Sequence, residues 1–229
     1  EHYVLTLGKR DVGCREEFLK KLPGSSKQKA AQLRAAYAYL TVHPGIKMTA
    51  PDGDEKTEMK EYLHDLNELY RTYPALYSMD GNSDGFEWIQ FTSSDENIVA
   101  FLRKTEKKNE TLLVVCNFSP VSYDSYHVGV PFAGKYKEIF NSDNGKYGGQ
   151  GVINARAKAS VQEECDARKN SLKLKLPAYG VAVFTCTEEK IVGKTVEKAK
   201  ETATEKTSAV KKAVRKVTAR KKKTSVKKQ

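Results

Sequence analysis

The sequence predicts an α+β chain in three parts: strand–helix–strand–helix over residues 1–75, an all-β sandwich over 76–187, and a basic tail over 188–229. Apolar residues recur at helical spacing in the first part and in short strand-like runs in the second. The tail holds 15 Lys+Arg against 5 Glu, whereas residues 1–187 hold 25 Lys+Arg against 24 Asp+Glu. The net charge of +11 therefore belongs to the tail, and the rest of the chain is nearly neutral.

The first part begins with HYVLTL, which predicts a strand. Gly-Ser-Ser at 24–26 precedes a helical pattern that Pro-Gly at 44–45 stops. IKMTA predicts a short strand, residues 51–54 a turn, and EKTEMKEYLHDLNELYRTYP a second amphipathic helix that Pro74 ends. The order is that of an α/β unit.

The second part contains seven short runs that are rich in β-branched and aromatic residues and separated by turn residues. These runs are FEWIQF, IVAFLRKT, TLLVVCNF, YHVGVP, KYKEIFNSD, SLKLKLP and GVAVFTCT. SLKLKLP alternates strictly, so we expect a strand with one exposed face. The pattern is typical of a β-sandwich.

The tail has no aromatic residue and too little apolar surface to offset its ordering entropy, so we expect it to be disordered, or helical when bound. One hypothesis is that it binds nucleic acid or another polyanion without sequence specificity; the alternative is a solubilising extension. The candidate polyanion-binding residues are Lys211, Lys212, Arg215, Lys216, Arg220, Lys221, Lys222 and Lys223.

The sequence gives little indication of cysteine, metal or phosphate-binding chemistry. Four scattered cysteines without a C-x-x-C pair predict reduced thiols in a cytoplasmic protein, and no apolar run is long enough to span a membrane. His43, His64 and His127 lack ligand neighbours at useful spacing, and NSDNGKYGGQG lacks the phosphate-loop pattern. We therefore expect no metal and no cofactor. A start at Glu1 suggests a processed or partial chain.

Several stretches together resemble the C-terminal part of bacterial glycogen (1,4-α-glucan) branching enzyme, of the α-amylase superfamily. They are YLTVHPGIK, KEYLHDLNELYRTYPALYSMD, GFEWIQ, NIVAFLRK, LLVVCNFSPV, YHVGVPFAGKYKEIFNSDNGKYGGQGVIN and LPAYGVAVF. The resemblance implies that residues 1–73 are the last strands and helices of a catalytic (β/α)8 barrel. It implies that 76–187 are the sandwich after that barrel, and that the tail lies outside the family core.

The same resemblance bears on catalysis. The family forms α-1,6 branches by retaining glucan chain transfer, with an Asp nucleophile, a Glu acid/base and a second Asp. The resemblance implies that the first two lie on barrel strands absent from this sequence, and it puts Lys9 and Arg10 at the His and second Asp positions. Two cations there would repel an oxocarbenium ion. Asp11, which falls at a family Glu, could substitute only if the strand slipped by one residue. We expect a transferase relative that is non-catalytic alone.

A second departure follows Ile46, where IKMTAPDGDEKTEM runs into the next helix without the loop that shapes the family's cleft. Glucan binding is therefore expected elsewhere, with Tyr147, Trp88 and Tyr126 as stacking candidates. Aromatic residues in strands are more often buried, so we expect Trp88 in the core and Tyr147, flanked by glycines, at the surface.

Three hypotheses follow. The first is a branching-enzyme relative that binds α-glucan or glycogen, or that complements a separate chain carrying the rest of the barrel. The second is a non-enzymatic polyanion-binding protein that acts through the tail. The third is a partial gene product without a function of its own, which predicts poor solubility because an incomplete barrel exposes apolar faces.

Overall fold

A computed structural model describes residues 4–7, 19–49, 57–91 and 96–188. The described residues all belong to the unit Glu1–Glu189. Lys9, Arg10 and Asp11, the turn predicted at 51–54, and every basic residue proposed in the tail lie outside the described residues.

The strand–helix–strand–helix prediction for the first part is confirmed. Strand β1 (Val4–Leu7) pairs in parallel with β2 (Ile46–Thr49), and helix α1 (Ser26–Val42) connects them. The side chain of Ser25 accepts from the backbone N–H of Gln28, and the Gln28 side chain accepts from the Ser25 backbone N–H. This reciprocal pair is a capping box, which explains why the helix begins there.

Helix α2 (Thr57–Thr72) follows, and Pro74 begins a short 3₁₀ turn after it. Tyr62, Leu66 and Leu69 are the buried members of its predicted apolar face. The proline cannot continue the α-helix because it lacks an N–H.

The seven runs predicted as strands all form strands, together with one short strand that the sequence did not reveal. The bounds are β3 Phe86–Gln90, β4 Ile98–Arg103, β5 Leu112–Asn117, β6 Tyr123–Val130, β7 Gly134–Asn141, β8 Lys158–Ala159, β9 Asn170–Leu176 and β10 Gly180–Glu188. Strands β3-β4-β5-β10-β7-β8 form an antiparallel six-stranded sheet, and β6 pairs with β9 in a separate antiparallel sheet. Strand β9 alternates buried and exposed side chains, as predicted from SLKLKLP.

The six-stranded sheet is buried on both faces, which makes three layers. The helix face packs against α1 and α2 through Phe101, Leu112, Val114, Cys116, Phe140, Val181 and Val183. The sandwich face packs against β6 and β9 through Ile98, Ala100, Leu102, Leu113, Val115, Ala182, Phe184 and Cys186. Strand β5 is consequently buried at every position, and its continuous LLVVCN run is the pattern expected of a strand without an exposed face.

Buried polar contacts fix the helices on the helix face. Arg103, the last residue of β4, is fully buried and donates to the carbonyl oxygens of Val42 and Ala75, each at 3.1 Å. Its guanidinium also contacts the Asp80 carboxylate. Burial lowers the pKa of Arg103, and Asp80 acts in the opposite direction. One side chain thereby joins the end of α1, the 3₁₀ turn and the sheet.

A second arginine secures the other part of α1. Arg34 is buried and donates through Nε to the Ser142 carbonyl oxygen at 2.8 Å. The Tyr62 hydroxyl of α2 donates to the backbone carbonyl of Arg34, so the two helices are also joined to each other. The Arg34 Nε and the Tyr62 hydroxyl, both buried, thus each have a backbone acceptor.

Candidate functional site

The surface prediction for Tyr147 is wrong. Its side chain is 5% exposed, and its ring packs 4.9 Å from the Tyr62 ring and 6.0 Å from the Phe140 ring. The hydroxyl donates to the Asp65 carboxylate of α2 at 2.7 Å. A 3₁₀ turn over Gly145–Tyr147 folds the ring onto the helix, and Gly148 ends it at a φ of +73°, where glycine is favoured. Tyr147 therefore anchors a loop and offers no open ring to a sugar.

Tyr126 is also buried, at 7% exposure. Its hydroxyl lies 2.9 Å from Gln90 Oε1 and 3.0 Å from Glu96 Oε2. Burial raises the pKa of the phenol. The ring belongs to the sandwich-face core. This agrees with the expectation that aromatic residues in strands are more often buried.

The prediction that Trp88 lies in the core is also wrong. Its side chain is 38% exposed. Strand β3 is an edge strand of the six-stranded sheet, and its register with β4 shifts between Trp88 and Gln90. Such a bulge places two consecutive residues against one partner residue. It turns Ile89 and Gln90 towards the sandwich face, and the Trp88 and Phe91 rings lie 6.1 Å apart.

Trp88 belongs to a set of rings that touch one another directly or through Phe101; we call this set the aromatic surface and define it as Tyr39, Phe86, Trp88, Phe91 and Phe118. Phe91 is 65% exposed and Phe118 is 39% exposed. Phe86 and Tyr39 are half-buried and connect the exposed rings to the core through Phe101, with centroid distances of 5.1 and 6.4 Å. Phe118 packs against Tyr39 at 5.6 Å. Three of the five rings, Trp88, Phe91 and Phe118, are therefore open to solvent.

The charged side chain between Phe86 and Trp88 in β3 is already paired. Glu87 follows Phe86 in β3 and accepts from Lys104 Nζ at 2.9 Å, and it also contacts the Arg168 guanidinium. Partial burial by itself would raise the pKa of Glu87, but the hydrogen bonds from Arg168 and Lys104 lower it overall. The carboxylate is therefore held ionised and engaged on the side of β3 opposite to Phe86 and Trp88.

A His/Ser/Glu group formed by β6, β9 and the segment between β8 and β9 does not form a catalytic triad. Ser171 Oγ lies 3.1 Å from His127 Nε2, and the Glu163 carboxylate lies 3.6 Å from the same nitrogen. A relay needs the acid and the nucleophile on different ring nitrogens. Within the described ranges, no group of three or more His, Cys, Asp or Glu side chains could hold a metal ion.

The cysteines of the described part are not activated. Cys116 and Cys186 are buried free thiols, as predicted, and Cys165 is half-buried. Burial raises the pKa of Cys186 to about 12 and that of Cys165 to about 11. Neither is a thiolate nucleophile at neutral pH. No helix among the described residues is long and apolar enough to cross a membrane.

Comparison with known proteins identifies the type of domain that the β-rich part forms. Residues 88–187 match the family described as "Alpha amylase, C-terminal all-beta domain". The two stacked sheets described above supply such a domain, from β3 to β10.

The relatives are more specific. The chain is 36% identical over 206 residues to the 1,4-alpha-glucan branching enzyme GlgB of Oceanobacillus iheyensis, which covers 80% of this chain and 32% of that enzyme. It is 37% identical over 214 residues to the GlgB of Trichodesmium erythraeum, covering 84% of this chain and 28% of that enzyme. The chain is thus related to the C-terminal part of bacterial 1,4-alpha-glucan branching enzyme and spans about a third of such relatives. A solved structure of the native Nostoc punctiforme debranching enzyme matches with a TM-score of 0.45 and 17% identity, over 70% of this chain and 31% of that one.

Sequence reasoning missed Phe91, Phe118 and Arg103. Phe91 lies just beyond the β3 bulge, and Phe118 just beyond the end of β5, and neither position differs in pattern from a core aromatic. Arg103 carried a usable signal, because a cation closing an otherwise apolar strand must find partners if the strand is buried.

Proposed function

We propose that this chain acts in α-glucan metabolism as a relative of the C-terminal part of glycogen branching enzyme, and that its β-rich region binds α-glucan. The observation that carries this proposal is sequence relatedness. It extends over 80% of the chain, through both the helical part and the alpha-amylase C-terminal all-beta domain. A similarity confined to the β-rich part would indicate only an alpha-amylase C-terminal all-beta domain and would not point to branching enzymes in particular.

The first part supports an origin in a β/α barrel. Strands β1 and β2 are parallel and are connected through α1, which packs with α2 against the helix face. Parallel sheets are normally covered on both faces and contain more than two strands. We propose that a separate chain supplies further barrel strands, and that residues 1–75 are the remnant of the barrel's end.

The chain by itself is proposed to be non-catalytic. Alignment with the family pattern puts Lys9 and Arg10 where a His and a transition-state-stabilising Asp would stand. Cationic side chains there disfavour an oxocarbenium-like transition state. A cytoplasmic location belongs to the same proposal, and the free thiols of Cys116 and Cys186 support it.

Native affinity electrophoresis of the full chain tests the binding claim. We expect slower migration in a gel that contains glycogen than in a gel without it, and unchanged migration in a gel with an equal mass of dextran. A folded, soluble sample that glycogen does not retard would contradict α-glucan binding.

An iodine-staining assay on amylose tests the catalytic claim. We expect the purified chain to leave the stain unchanged, because no complete carboxylate set is proposed for it. Loss of stain with new α-1,6 linkages would overturn the non-catalytic proposal but leave the family relationship standing.

A further inference from the structure

We propose that the Asn144–Gly145 peptide is a site of deamidation whose reaction the folded loop suppresses, so that Asn144 is modified only when this loop opens. Asn144 and Gly145 form the only Asn-Gly pair in the chain, within the glycine-rich stretch NSDNGKYGGQG. That stretch begins at Asn141, the last residue of β7.

Deamidation is an acyl transfer within the chain, followed by hydrolysis. The backbone nitrogen of Gly145 attacks the side-chain carbonyl carbon (Cγ) of Asn144 and loses its proton. A new C–N bond forms, and the side-chain amide leaves as ammonia, which gives a five-membered succinimide. Water then adds to one of the two carbonyl carbons of that ring and breaks its C–N bond, so the product is isoaspartate or aspartate.

The surroundings of Gly145 leave room for this reaction. The residue is exposed, and a Cβ atom placed on it would meet nothing within 4 Å. Because glycine has no Cβ of its own, nothing on the attacking residue hinders the approach of its nitrogen to the Asn144 side chain. Solvent water also has direct access to this position.

The folded loop nevertheless holds Asn144 in an unreactive conformation. Its Oδ1 accepts from the backbone N–H of Lys146 at 3.1 Å, so the side chain caps the 3₁₀ turn Gly145–Tyr147. The backbone ψ of Asn144 is 138°, which turns its Cβ away from the Gly145 nitrogen about the Cα–C bond. Ring closure needs these two atoms on the same side of that bond, so the reacting atoms are not in an attack geometry.

Contacts on both sides of Asn144 prevent the rotation that would bring the atoms together. After it, the Tyr147 hydroxyl donates to the Asp65 carboxylate of α2 at 2.7 Å. Before it, the buried Asp143 carboxylate accepts from two backbone N–H groups later in the loop, at 3.0 and 3.1 Å. Asn144 cannot rotate without releasing one of these neighbours, so the loop must open locally before the site reacts.

The two products differ in what they do to the loop. Aspartate at position 144 keeps an oxygen that accepts from the Lys146 N–H, and the turn can close again. Isoaspartate adds one carbon atom to the main chain, which displaces Tyr147 from Asp65 and disfavours the closed loop. Isoaspartate formation therefore makes a single opening persistent.

Peptide mapping of the full chain tests the proposal. The protein is incubated in mildly alkaline buffer with and without a denaturing concentration of urea, and digests are analysed by mass spectrometry for aspartate and isoaspartate at position 144. We expect conversion to be at least roughly tenfold faster in urea, since only the open population reacts in the native protein. Equal rates in the two buffers, or no conversion in urea, would overturn the proposal.

A hydroxyl deletion tests whether the anchored loop is what protects the site. Tyr147→Phe should raise the rate of conversion in native buffer by roughly threefold or more, because the lost hydrogen bond to Asp65 makes opening easier, and leave the rate in urea unchanged. Tyr136→Phe is the matched control, since it deletes a hydroxyl that donates to Phe132 elsewhere in the chain, and its rate should equal that of wild type. A Tyr147→Phe protein that reacts no faster than this control would overturn the role of the loop.

Discussion

The two faces of the six-stranded sheet both have fully buried centres but are covered in different ways. Phe101 on the helix face and Phe184 on the sandwich face are both fully buried. The helix face lies under α1 and α2, which the chain provides before the sheet begins, whereas the sandwich face lies under β6 and β9 from within the sandwich. Apolar burial at Phe101 and at Phe184 is therefore similar. The contacts that position α1 and α2 on one face differ from those that position β6 and β9 on the other.

Helices can slide or rotate over an apolar sheet unless something fixes them. On the helix face, the buried side chains of Arg34, Arg103 and Tyr62 each donate to a specific backbone carbonyl. On the sandwich face, the polar links to β3 lie at the sheet edge, where Arg168 contacts Glu87 and the Tyr126 hydroxyl donates to Gln90 Oε1. We infer that apolar contact supplies most of the stability on both sides, and that buried polar contacts specify where the helices sit.

The largest expected effect tests the equality of the faces. Phe101→Ala and Phe184→Ala should each lower the free energy of unfolding by about 3–5 kcal/mol in urea titrations, since each leaves a cavity at a fully buried ring. Phe91→Ala, at a 65% exposed ring, is the control and should change it by about 0.5 kcal/mol or less. A much smaller loss at Phe101 than at Phe184 would show that the helices do not stay on the sheet in solution.

Removing the arginine at the end of β4 tests the polar anchoring. Arg103→Ala should cost about 3 kcal/mol, because two buried carbonyls lose their donor and Asp80 loses its buried cation. The surface pair of Arg71 with Glu68 gives the control, and Arg71→Ala should cost at most about 0.5 kcal/mol in the same urea titration. Equal costs would argue against a positioning role for Arg103.

A pair of hydroxyl deletions compares the faces at smaller scale. Tyr62 donates from α2 to the Arg34 carbonyl of α1, and Tyr136 donates locally to the Phe132 carbonyl at 2.7 Å. Tyr62→Phe should lower the free energy of unfolding by about 1.5 kcal/mol and Tyr136→Phe by about 0.5–1 kcal/mol, measured by thermal and urea unfolding. The reverse order would place the more important hydrogen bond on the sandwich face.

The smallest expected effect concerns acid. Burial raises the pKa of Asp65, but hydrogen bonds from Lys146, Tyr147 and His64 outweigh it, so the pKa in the folded protein is lowered. A lowered pKa stabilises the fold above the ordinary Asp value of about 3.9 and loses this contribution as pH falls through the folded pKa. The difference in urea midpoint between wild type and Asp65→Asn should therefore shrink between pH 7 and about pH 2.5. A difference that stays constant would contradict this role for the carboxylate.

The strands were predictable because strand formation follows local patterns. Seven of the eight runs in the β-rich part carried enough β-branched and aromatic residues to be recognised, and β8, with two residues, carried no periodic signal. The helices were predictable from their apolar spacing and from the cap at Ser25. The two-sided burial of β5 was legible in its unbroken LLVVCN run, although that run alone could not say what covers each face.

The exposure of individual aromatic residues could not be predicted. The sequence places Trp88 in an apolar strand and Tyr147 in a glycine-rich segment, which suggested a core ring and a surface ring. The opposite holds, because exposure depends on which strand lies at the sheet edge and where a loop folds back. Neither property is set by residues close in the chain.

The sequence by itself determined the type and order of the elements, the neutral body with a +10 tail, and the relationship to α-glucan branching enzymes. These follow from local propensity, composition and residue identity, which need no knowledge of distant contacts. Only the tertiary structure decided that α1 and α2 cover one face of the sheet, that Arg103 joins them to it, and that a bulge brings Trp88 and Phe91 to one open surface. Those features depend on packing between segments far apart in the chain, where burial and hydrogen-bond satisfaction are settled jointly.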